Sequence, residues 1–302
     1  MAIKNVAVVG ASGNVGAPLV KALLAANFHV TAISREESTS TFPEGVSVLK
    51  ADLGSVDSLT KAFAGQDAVV STIAIPALGS QEALVDAAVA AGVRRFLPSE
   101  FGHHTLKLAT QKGEMLAQLL GSKTQLLEHI IEKSKSNPEF TWTGLATSPF
   151  TDWGLDHGFW KINLKDKTAE IVDSGDEPAS TSSLGFVAQA VVAVLQHEQE
   201  TANKFLDVVE FTLSQNQLLK IFEEETGEKF TVTHTTTADV LKDGHEKLAK
   251  GDFSAFVNFL WAYSFRDGSD HAVKEEDKAN TLLGLKSGDI RQLVKDYIKN
   301  KQ

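Results

Sequence analysis

The 302-residue chain contains no cysteine, and this absence excludes several kinds of chemistry at once. Without thiols the chain has no disulfides, no thiolate metal ligands and no cysteine nucleophile. This composition fits a reducing compartment, and we expect a cytoplasmic protein. No apolar run approaches the roughly 20 residues that a membrane-spanning helix needs. The amino terminus leads directly into a strand-like segment rather than a signal peptide, so we expect no membrane association.

The chain also has fewer positively than negatively charged residues. It contains 29 Lys and Arg residues and 39 Asp and Glu residues, which gives a formal net charge of −10. An acidic surface repels the phosphates of DNA and RNA, so we expect no direct nucleic-acid partner. The His, Asp and Glu residues do not have the spacing of metal ligands, and we expect no metal.

The first half of the chain alternates apolar β-branched runs with helical runs. Strands are predicted at residues 6–9, 30–34, 46–49, 68–75, 95–98 and 140–145. Runs that are apolar on both faces are typical of buried parallel strands. Strands that alternate with helices predict an α/β fold with a doubly wound parallel sheet of the Rossmann type. One long helical stretch is predicted at residues 110–136, between the last two strands.

A glycine-rich turn with the spacing G-x-x-G-x-x-G follows the first strand and opens the first helix. The first glycine permits a tight turn, the second lets a pyrophosphate approach the backbone, and the third allows close helix–strand packing. The N–H groups of the helix start then bind the phosphates. A plain βα turn is the alternative, but the alternating context favours a dinucleotide site. The expected contacts are Gly10, Ser12, Gly13, Asn14, Val15 and Gly16.

The end of the second strand indicates which dinucleotide binds. NAD-binding chains usually place an acidic residue there for the ribose 2′-hydroxyl, but this strand ends in Ser34 and Arg35. A guanidinium offers a bidentate fork for a 2′-phosphate, with Ser34 as a further donor. The alternative is a solvated surface arginine, with Glu36 and Glu37 facing solvent or pairing with it. We expect NADP(H) as the cofactor.

Other residues at strand ends are assigned to the same cofactor site. Asp52 ends the third strand, where an Asp-Leu pair commonly lies beside an adenine; a helix-cap or turn carboxylate is the alternative. The remaining expected contacts lie toward the end of the fourth strand and after the sixth strand, and are Thr72, Ile73, Pro149 and Phe150.

The segment R-R-F-L-P-S-E-F-G at residues 94–102 carries a specific family signature. Together with the helix at 81–92, the glycine loop and Arg35, it resembles the isoflavone reductase and NmrA-like group of atypical short-chain dehydrogenases. The resemblance implies a Rossmann domain, a smaller carboxyl-terminal lobe and NADPH. Enzymatic members reduce phenylpropanoid-type compounds such as isoflavones, lignans and phenylcoumaran ethers, whereas other members are non-catalytic dinucleotide sensors.

The second half of the chain departs from the plant reductases. Residues 147–155 are more similar to fungal members of the group, and the plant substrate-pocket residues are not recognisable in 150–180. We therefore divide the chain into an NADP-binding Rossmann domain at 1–150 and a substrate lobe at 151–302, interleaved with the last sheet strands. Further strands are predicted at 169–172 and 205–211, and helices at 184–196, 216–226 and 253–265.

The Tyr-x-x-x-Lys pair of typical short-chain dehydrogenases is missing after the fifth strand, and Lys123 is the predicted proton donor instead. It falls in an apolar helical stripe, four residues after Leu119 and four before Leu127. Burial of an ammonium is costly and lowers its pKa toward values useful in acid–base catalysis. Reductases that this chain resembles carry a lysine on this helix beside the nicotinamide. Alternatively, Ser122 caps the helix with Gln125 in a capping box, and the lysine reaches water.

The substrate-contact predictions rest on weaker signals. His103 follows the signature glycine in a predicted loop, where solvated histidines are common. Trp153, Phe159 and Trp160 lie past the sixth strand, where they wall an aromatic substrate or simply pack in a core. We expect an NADPH-dependent reductase of a small aromatic, phenylpropanoid- or quinone-like metabolite. The alternative is a dinucleotide sensor that binds a protein partner. The sequence does not indicate an oligomeric state.

Overall fold

The computed structural model describes residues 2–74, 81–111 and 113–301. The strands of this part of the chain are β1 (Asn5–Val9), β2 (His29–Ser34), β3 (Val46–Lys50), β4 (Ala68–Ser71), β5 (Arg95–Leu97), β6 (Thr141–Ala146), β7 (Ile162–Asn163), β8 (Thr168–Val172), β9 (Ala179–Thr181), β10 (Lys204–Asp207), β11 (Phe211–Leu213) and β12 (Thr231–Thr235).

The helices of the described residues are α1 (Gly16–Ala25), α2 (Val56–Phe63), α3 (Gln81–Ala90), α4 (Thr105–Ala109), α5 (Met115–Leu119), α6 (Gly121–Ser136), α7 (Thr151–Asp156), α8 (Leu184–Gln196), α9 (Gln215–Thr226), α10 (Thr237–Ala249), α11 (Ala255–Phe265) and α12 (Ile290–Lys301). None of them is long and apolar enough to cross a membrane.

A seven-stranded sheet, counted over the described residues, forms the centre of the fold in the order β10-β6-β5-β4-β1-β2-β3. Its strand pairs are all parallel. Alternate residues of β1 pack on opposite faces: Val6 and Val8 lie in a core with α1 and α8, whereas Ala7 and Val9 lie in a core with α2, α3 and α6. Helices therefore cover both faces of the sheet, and the predicted doubly wound α/β fold is confirmed.

Buried polar contacts anchor the strand that leads into the R-F-L-P-S-E-F-G signature. The Arg95 guanidinium is fully buried and donates to the hydroxyls of Thr141, Thr143 and Thr201. It also donates to the carbonyl of Glu198, beyond the end of α8. Buried charges persist only when they are hydrogen-bonded, and here one side chain ties β5 to β6 and to the segment that precedes β10.

The lobe contains two small sheets in its described residues, β11-β9 and β12-β8-β7. Its core is aromatic, with Trp160, Phe222 and Phe265 at its centre. Helix α11 also packs against α5, through a second apolar cluster that includes Leu116 and Phe259. One lobe helix therefore lies against the Rossmann part. The division at residue 150 remains a prediction, because β10 of the central sheet and α8 both come after it.

Several predicted elements differ from the observed ones. The single helix predicted at 110–136 is wrong. Gly113 adopts φ +87° before α5 begins, and α5 and α6 are separate because Leu120, between them, leaves the helical conformation. The single strand predicted at 205–211 is two, since β10 joins the central sheet and β11 pairs with β9. The end of the fourth predicted strand, at 75, lies outside the described residues. Edge strand β3 is largely exposed rather than buried.

Candidate active site

A cavity of about 820 Å³ opens at the carboxyl ends of the parallel strands, between the glycine loop and helix α11 of the lobe. In open parallel sheets this edge is the usual place for a ligand. The cavity brings together residues from both halves of the chain.

The glycine loop forms one end of the cavity, which Gly10, Ser12, Gly13, Asn14 and Val15 line. Gly10 has φ +82°, and a Cβ there would lie 2.9 Å from the Thr72 carbonyl oxygen. Helix α1 starts immediately after the loop and has no acidic residue in its first turn. The positive end of its dipole therefore lies at the cavity, which suits a phosphate.

Gly16 lies behind the loop rather than in the cavity lining. A Cβ at this position would lie 2.2 Å from the Gly10 carbonyl oxygen, so only glycine lets α1 begin so close to the turn. The side-chain hydroxyl of Thr72 donates to the carbonyls of Val9 and Gly10 at 2.9 and 3.0 Å. These contacts fix the loop against the end of β4.

The end of β2 supplies a polar corner of the cavity. Ser34 and Arg35 line it, as do Ser38, Ser40 and Phe42 in the following loop, which the sequence did not single out. The Arg35 side chain is 68 % exposed.

The ends of the third, fourth and sixth strands contribute unequally to the lining. Ile73, Pro149 and Phe150 line the cavity as expected. Asp52 does not line the cavity. Its carboxylate accepts a hydrogen bond from the Gly54 backbone at 2.9 Å, as expected for a turn carboxylate. The next residue, Leu53, lines the cavity instead.

Lys123 occupies the first turn of α6, and its side chain is buried, with only 7 % exposed, in the wall of the same cavity. Helix α6 has Leu120 at its N-cap and no side-chain capping bond in the described structure, so the predicted capping box of Ser122 is not formed. Burial lowers the pKa of the Lys123 ammonium, and the Glu100 carboxyl opposes that shift. The alternative of a lysine that reaches bulk water is wrong.

His103 also lines the cavity, and its ring is only partly exposed. The ring packs edge-on against Tyr263, with centroids 4.7 Å apart. Burial, reinforced by the charges of His271 and Lys123, lowers the pKa of His103 to about 3. The imidazole is therefore neutral near pH 7, and the alternative of a solvated loop histidine does not hold for it.

Aromatic residues of the lobe close the other end of the cavity. Trp153 and Phe159 line it, together with Phe256 and Leu260 of α11. Trp160 does not, because it is fully buried in the lobe core beside Phe265. Trp160 therefore packs in the core of the lobe, as the alternative prediction stated.

Glu100 is a further residue of this region that sequence reasoning missed. It lies in the signature segment, is fully buried, and is not part of the cavity lining. Its place between cavity-lining neighbours was the available signal. No group of three or more His, Cys, Asp or Glu side chains within the described ranges is arranged to hold a metal ion.

A glycine loop at the carboxyl ends of a doubly wound parallel sheet, facing a separate lobe across a cavity, defines a Rossmann-type dinucleotide-binding protein. The NmrA-like family model matches residues 2–258, and the chain belongs to this family. The family expected from the signature segment is thereby confirmed.

Similar fungal proteins match along nearly the whole chain. The chain is 31% identical to the oxidoreductase poxI of Penicillium oxalicum over 94% of this chain and 90% of the relative. It is 32% identical to the oxidoreductase aprR of Aspergillus flavus, over 99% of this chain and 100% of the relative. These matches place the chain among the oxidoreductases of the family.

Plant proteins share the fold at lower identity. The isoflavone reductase homolog IRL of Zea mays is 29% identical over 80% of this chain and 81% of its own length. The structure of AtPrR2 with NADP+ and (+)pinoresinol superposes with a TM-score of 0.81 at 22% identity, covering 98% of this chain and 99% of that one. The leucoanthocyanidin reductase–NADPH complex from Vitis vinifera gives 0.82 at 19% identity, covering 97% and 99%.

Proposed function

We propose that the protein is an NADPH-dependent reductase of a small aromatic metabolite, with Lys123 as the group that stabilises and protonates the developing oxyanion. The observation that carries this proposal is the placement of Lys123. A buried ammonium lines the same cavity as the glycine loop, although burial of a charge is costly unless it has a function or a partner.

The residues of the cavity fit an NADP(H) molecule. Gly10 and Gly13 line the cavity, so a pyrophosphate can approach the backbone there, whereas Gly16 lets α1 begin close to the turn. Arg35, Ser34 and Ser38 give the corner at the end of β2 the donors that a 2′-phosphate requires. The AtPrR2 and leucoanthocyanidin reductase structures, which contain NADP+ or NADPH, support the same choice.

Bound NADPH supplies a hydride to an electrophilic carbon of the substrate. The electron pair displaced from the attacked double bond or the cleaved carbon–oxygen bond then moves to a substrate oxygen, which becomes negatively charged. The Lys123 ammonium stabilises that charge from the apolar wall and donates its proton to the oxygen. Burial favours this transfer because it lowers the pKa of the ammonium.

The shape and polarity of the outer cavity support an aromatic substrate. Trp153, Phe159, Phe256 and Leu260 present apolar surface on which a flat ring packs favourably. His103 adds one neutral polar group to this wall. The names of relatives such as isoeugenol synthase 1 of Petunia hybrida point to the same chemical class.

The alternative of a non-catalytic sensor has less support, since a sensor does not need a buried ammonium beside its dinucleotide. The test is to mix purified protein and NADPH with a panel of quinones, enones and benzylic ethers and to follow NADPH oxidation. We expect saturable turnover with at least one aromatic member of the panel. If no compound is reduced, while a partner protein binds the NADP+ and NADPH complexes with different affinities, the reductase proposal is wrong.

A further inference from the structure

The loop between β2 and β3 supplies the polar groups at one corner of the cavity. Arg35, Ser38 and Ser40 all line the cavity from this loop. The Ser38 hydroxyl donates to the Ser40 hydroxyl at 3.2 Å and accepts from the Ser40 backbone N–H at 3.3 Å, so the two serines form one local unit. These groups meet a ligand in a single arrangement only where the backbone of the loop is held in place.

Lys50, the last residue of β3, binds the backbone of this loop from the neighbouring strand. Its ammonium donates to the Arg35 carbonyl at 3.1 Å and also to the Ser38 carbonyl. Lys50 pairs in register with Ser34, the last residue of β2, so its side chain lies beside the residues that follow that strand. Lys50 itself does not line the cavity. It therefore acts on the loop rather than on a ligand in the cavity.

The two carbonyls that Lys50 binds belong to one turn. The Ser38 backbone N–H donates to the Arg35 carbonyl at 3.1 Å, which closes a turn from Arg35 to Ser38. The Lys50 ammonium joins the carbonyls of the first and last residues of that turn. Because Arg35 is the first residue of the turn, a restraint on its backbone also fixes the point from which its guanidinium extends.

We propose that Lys50 is a positioning residue for the 2′-phosphate of NADP(H): its two hydrogen bonds hold the turn that begins at Arg35 in the arrangement that binds the phosphate. The inference rests on the choice of cofactor in the proposed function. Ordering a loop during binding costs free energy, and a loop that is held beforehand avoids that loss. The positive charge of Lys50 also adds to that of Arg35 at a corner that receives an anion.

This role affects the choice between two nucleotides rather than nucleotide binding in general. NADH carries a free 2′-hydroxyl in place of the 2′-phosphate, so it gains little from an ordered Arg35 and its turn. The glycine loop that receives the pyrophosphate follows β1, whereas the contacts of Lys50 lie beyond the end of β2. Loss of Lys50 therefore weakens binding of the phosphorylated nucleotide and leaves the pyrophosphate site in place.

The first test is calorimetric titration of Lys50→Met with NADPH and with NADH. We expect the Kd for NADPH to rise roughly 3- to 10-fold, the effect of one or two lost hydrogen bonds, while the Kd for NADH stays within about 2-fold of the wild type. Lys50→Arg keeps donors for both carbonyls and should restore most of the affinity. Lys4→Met removes the same charge from an exposed position before β1, at the opposite edge of the sheet, and should leave both affinities unchanged. An equal loss for both nucleotides, or no loss for NADPH, would overturn the proposal.

A double-mutant cycle with Arg35→Ala tests whether Lys50 acts through the turn or directly on the nucleotide. If Lys50 positions Arg35, adding Lys50→Met to Arg35→Ala changes the Kd for NADPH by less than about 2-fold. The full effect of Lys50→Met in that background would contradict the positioning role. These titrations need no substrate, so they also separate this inference from the choice of cofactor. A wild-type protein that binds both nucleotides equally refutes both, whereas a preference for NADPH that Lys50→Met leaves intact refutes this inference alone.

Discussion

The Nε atom of Arg35 lies 3.4 Å from the Glu37 carboxylate, so the guanidinium at the polar corner of the cavity already has an acidic neighbour. This ion pair is well exposed, and exposed pairs contribute little to stability. Its two terminal nitrogens form no ion pair within the described part of the chain, so they remain available to an anion. Substitutions at Arg35 and at Glu37 therefore test how the guanidinium contributes to the choice of cofactor.

The first prediction concerns the 2′-phosphate. Arg35→Ala removes a charge-assisted contact and weakens NADPH binding roughly 10-fold or more, while NADH binding changes little. Glu37→Gln removes the competing carboxylate and leaves NADPH binding equal or tighter. Calorimetric titration of both nucleotides checks this, and equal affinities of the wild-type protein for NADPH and NADH would refute the choice of cofactor.

The second prediction concerns the glycine loop. Gly16→Ala places a Cβ 2.2 Å from the Gly10 carbonyl, so the start of α1 must move away from the turn. We expect a loss of about 1–3 kcal/mol in the free energy of unfolding, the range of overpacking, together with weaker NADPH binding. Gly185→Ala, in an exposed position of α8 with open space around it, is the control and keeps or slightly raises stability. Urea unfolding curves of the two variants give the comparison.

The third prediction concerns the lobe helix that faces the cavity. Phe256→Ala removes apolar lining and raises the KM for an aromatic substrate several-fold, while NADPH affinity stays constant. Phe253→Ala changes a residue three positions away that is 91 % exposed, and its KM should equal that of the wild type. Steady-state kinetics on both variants test this prediction. Equal KM values for Phe256→Ala and the wild type would show that the substrate binds elsewhere.

The fourth prediction follows from the burial of His103. The pKa of its imidazole is about 3 in the folded protein, far below the roughly 6.5 of an exposed histidine. The unfolded chain therefore binds a proton first as pH falls below about 6.5, and stability decreases from there toward acid pH. His103→Gln should lose about 2 kcal/mol less stability than the wild type between pH 6.5 and 4.5. The free energy of unfolding is measured against pH for both proteins. An equal pH dependence in the wild type and in His103→Gln would contradict a buried neutral imidazole.

Much of the fold follows from local sequence pattern. Val6–Val9 and the glycines after it mark a buried strand and its turn, because runs that are apolar on both faces are typical of buried parallel strands. Helix α8 was predicted at its observed bounds, and the structure shows the Ser183 side chain capping its start. The break before α6 was missed, because the apolar stripe continues through Leu119 and Leu120 although the backbone does not remain helical.

The parts of the candidate site that local sequence determines could be predicted. The glycine spacing and Arg35 are local features, and their places in the cavity follow from strand order alone. Trp160 and Asp52 were assigned to the site from their positions in the sequence. Trp160 instead packs in the lobe core through contacts with distant residues. The Asp52 carboxylate instead accepts a hydrogen bond from Gly54 in a local turn. Glu100 was missed because its burial depends on α4 and α6, which lie further along the chain.

The measurement that tests the account most directly is kcat for Lys123→Ala, together with its NADPH affinity, on a substrate that the wild-type protein reduces. Removal of a positioned acid typically costs roughly 10²–10⁴-fold in rate, so we expect a loss of this size with NADPH binding within a few-fold of the wild type. Lys123→Arg should not restore the rate, because a guanidinium does not give up its proton in this pH range. A kcat near the wild-type value in the alanine variant would contradict the central claim that the buried lysine supplies the charge and the proton.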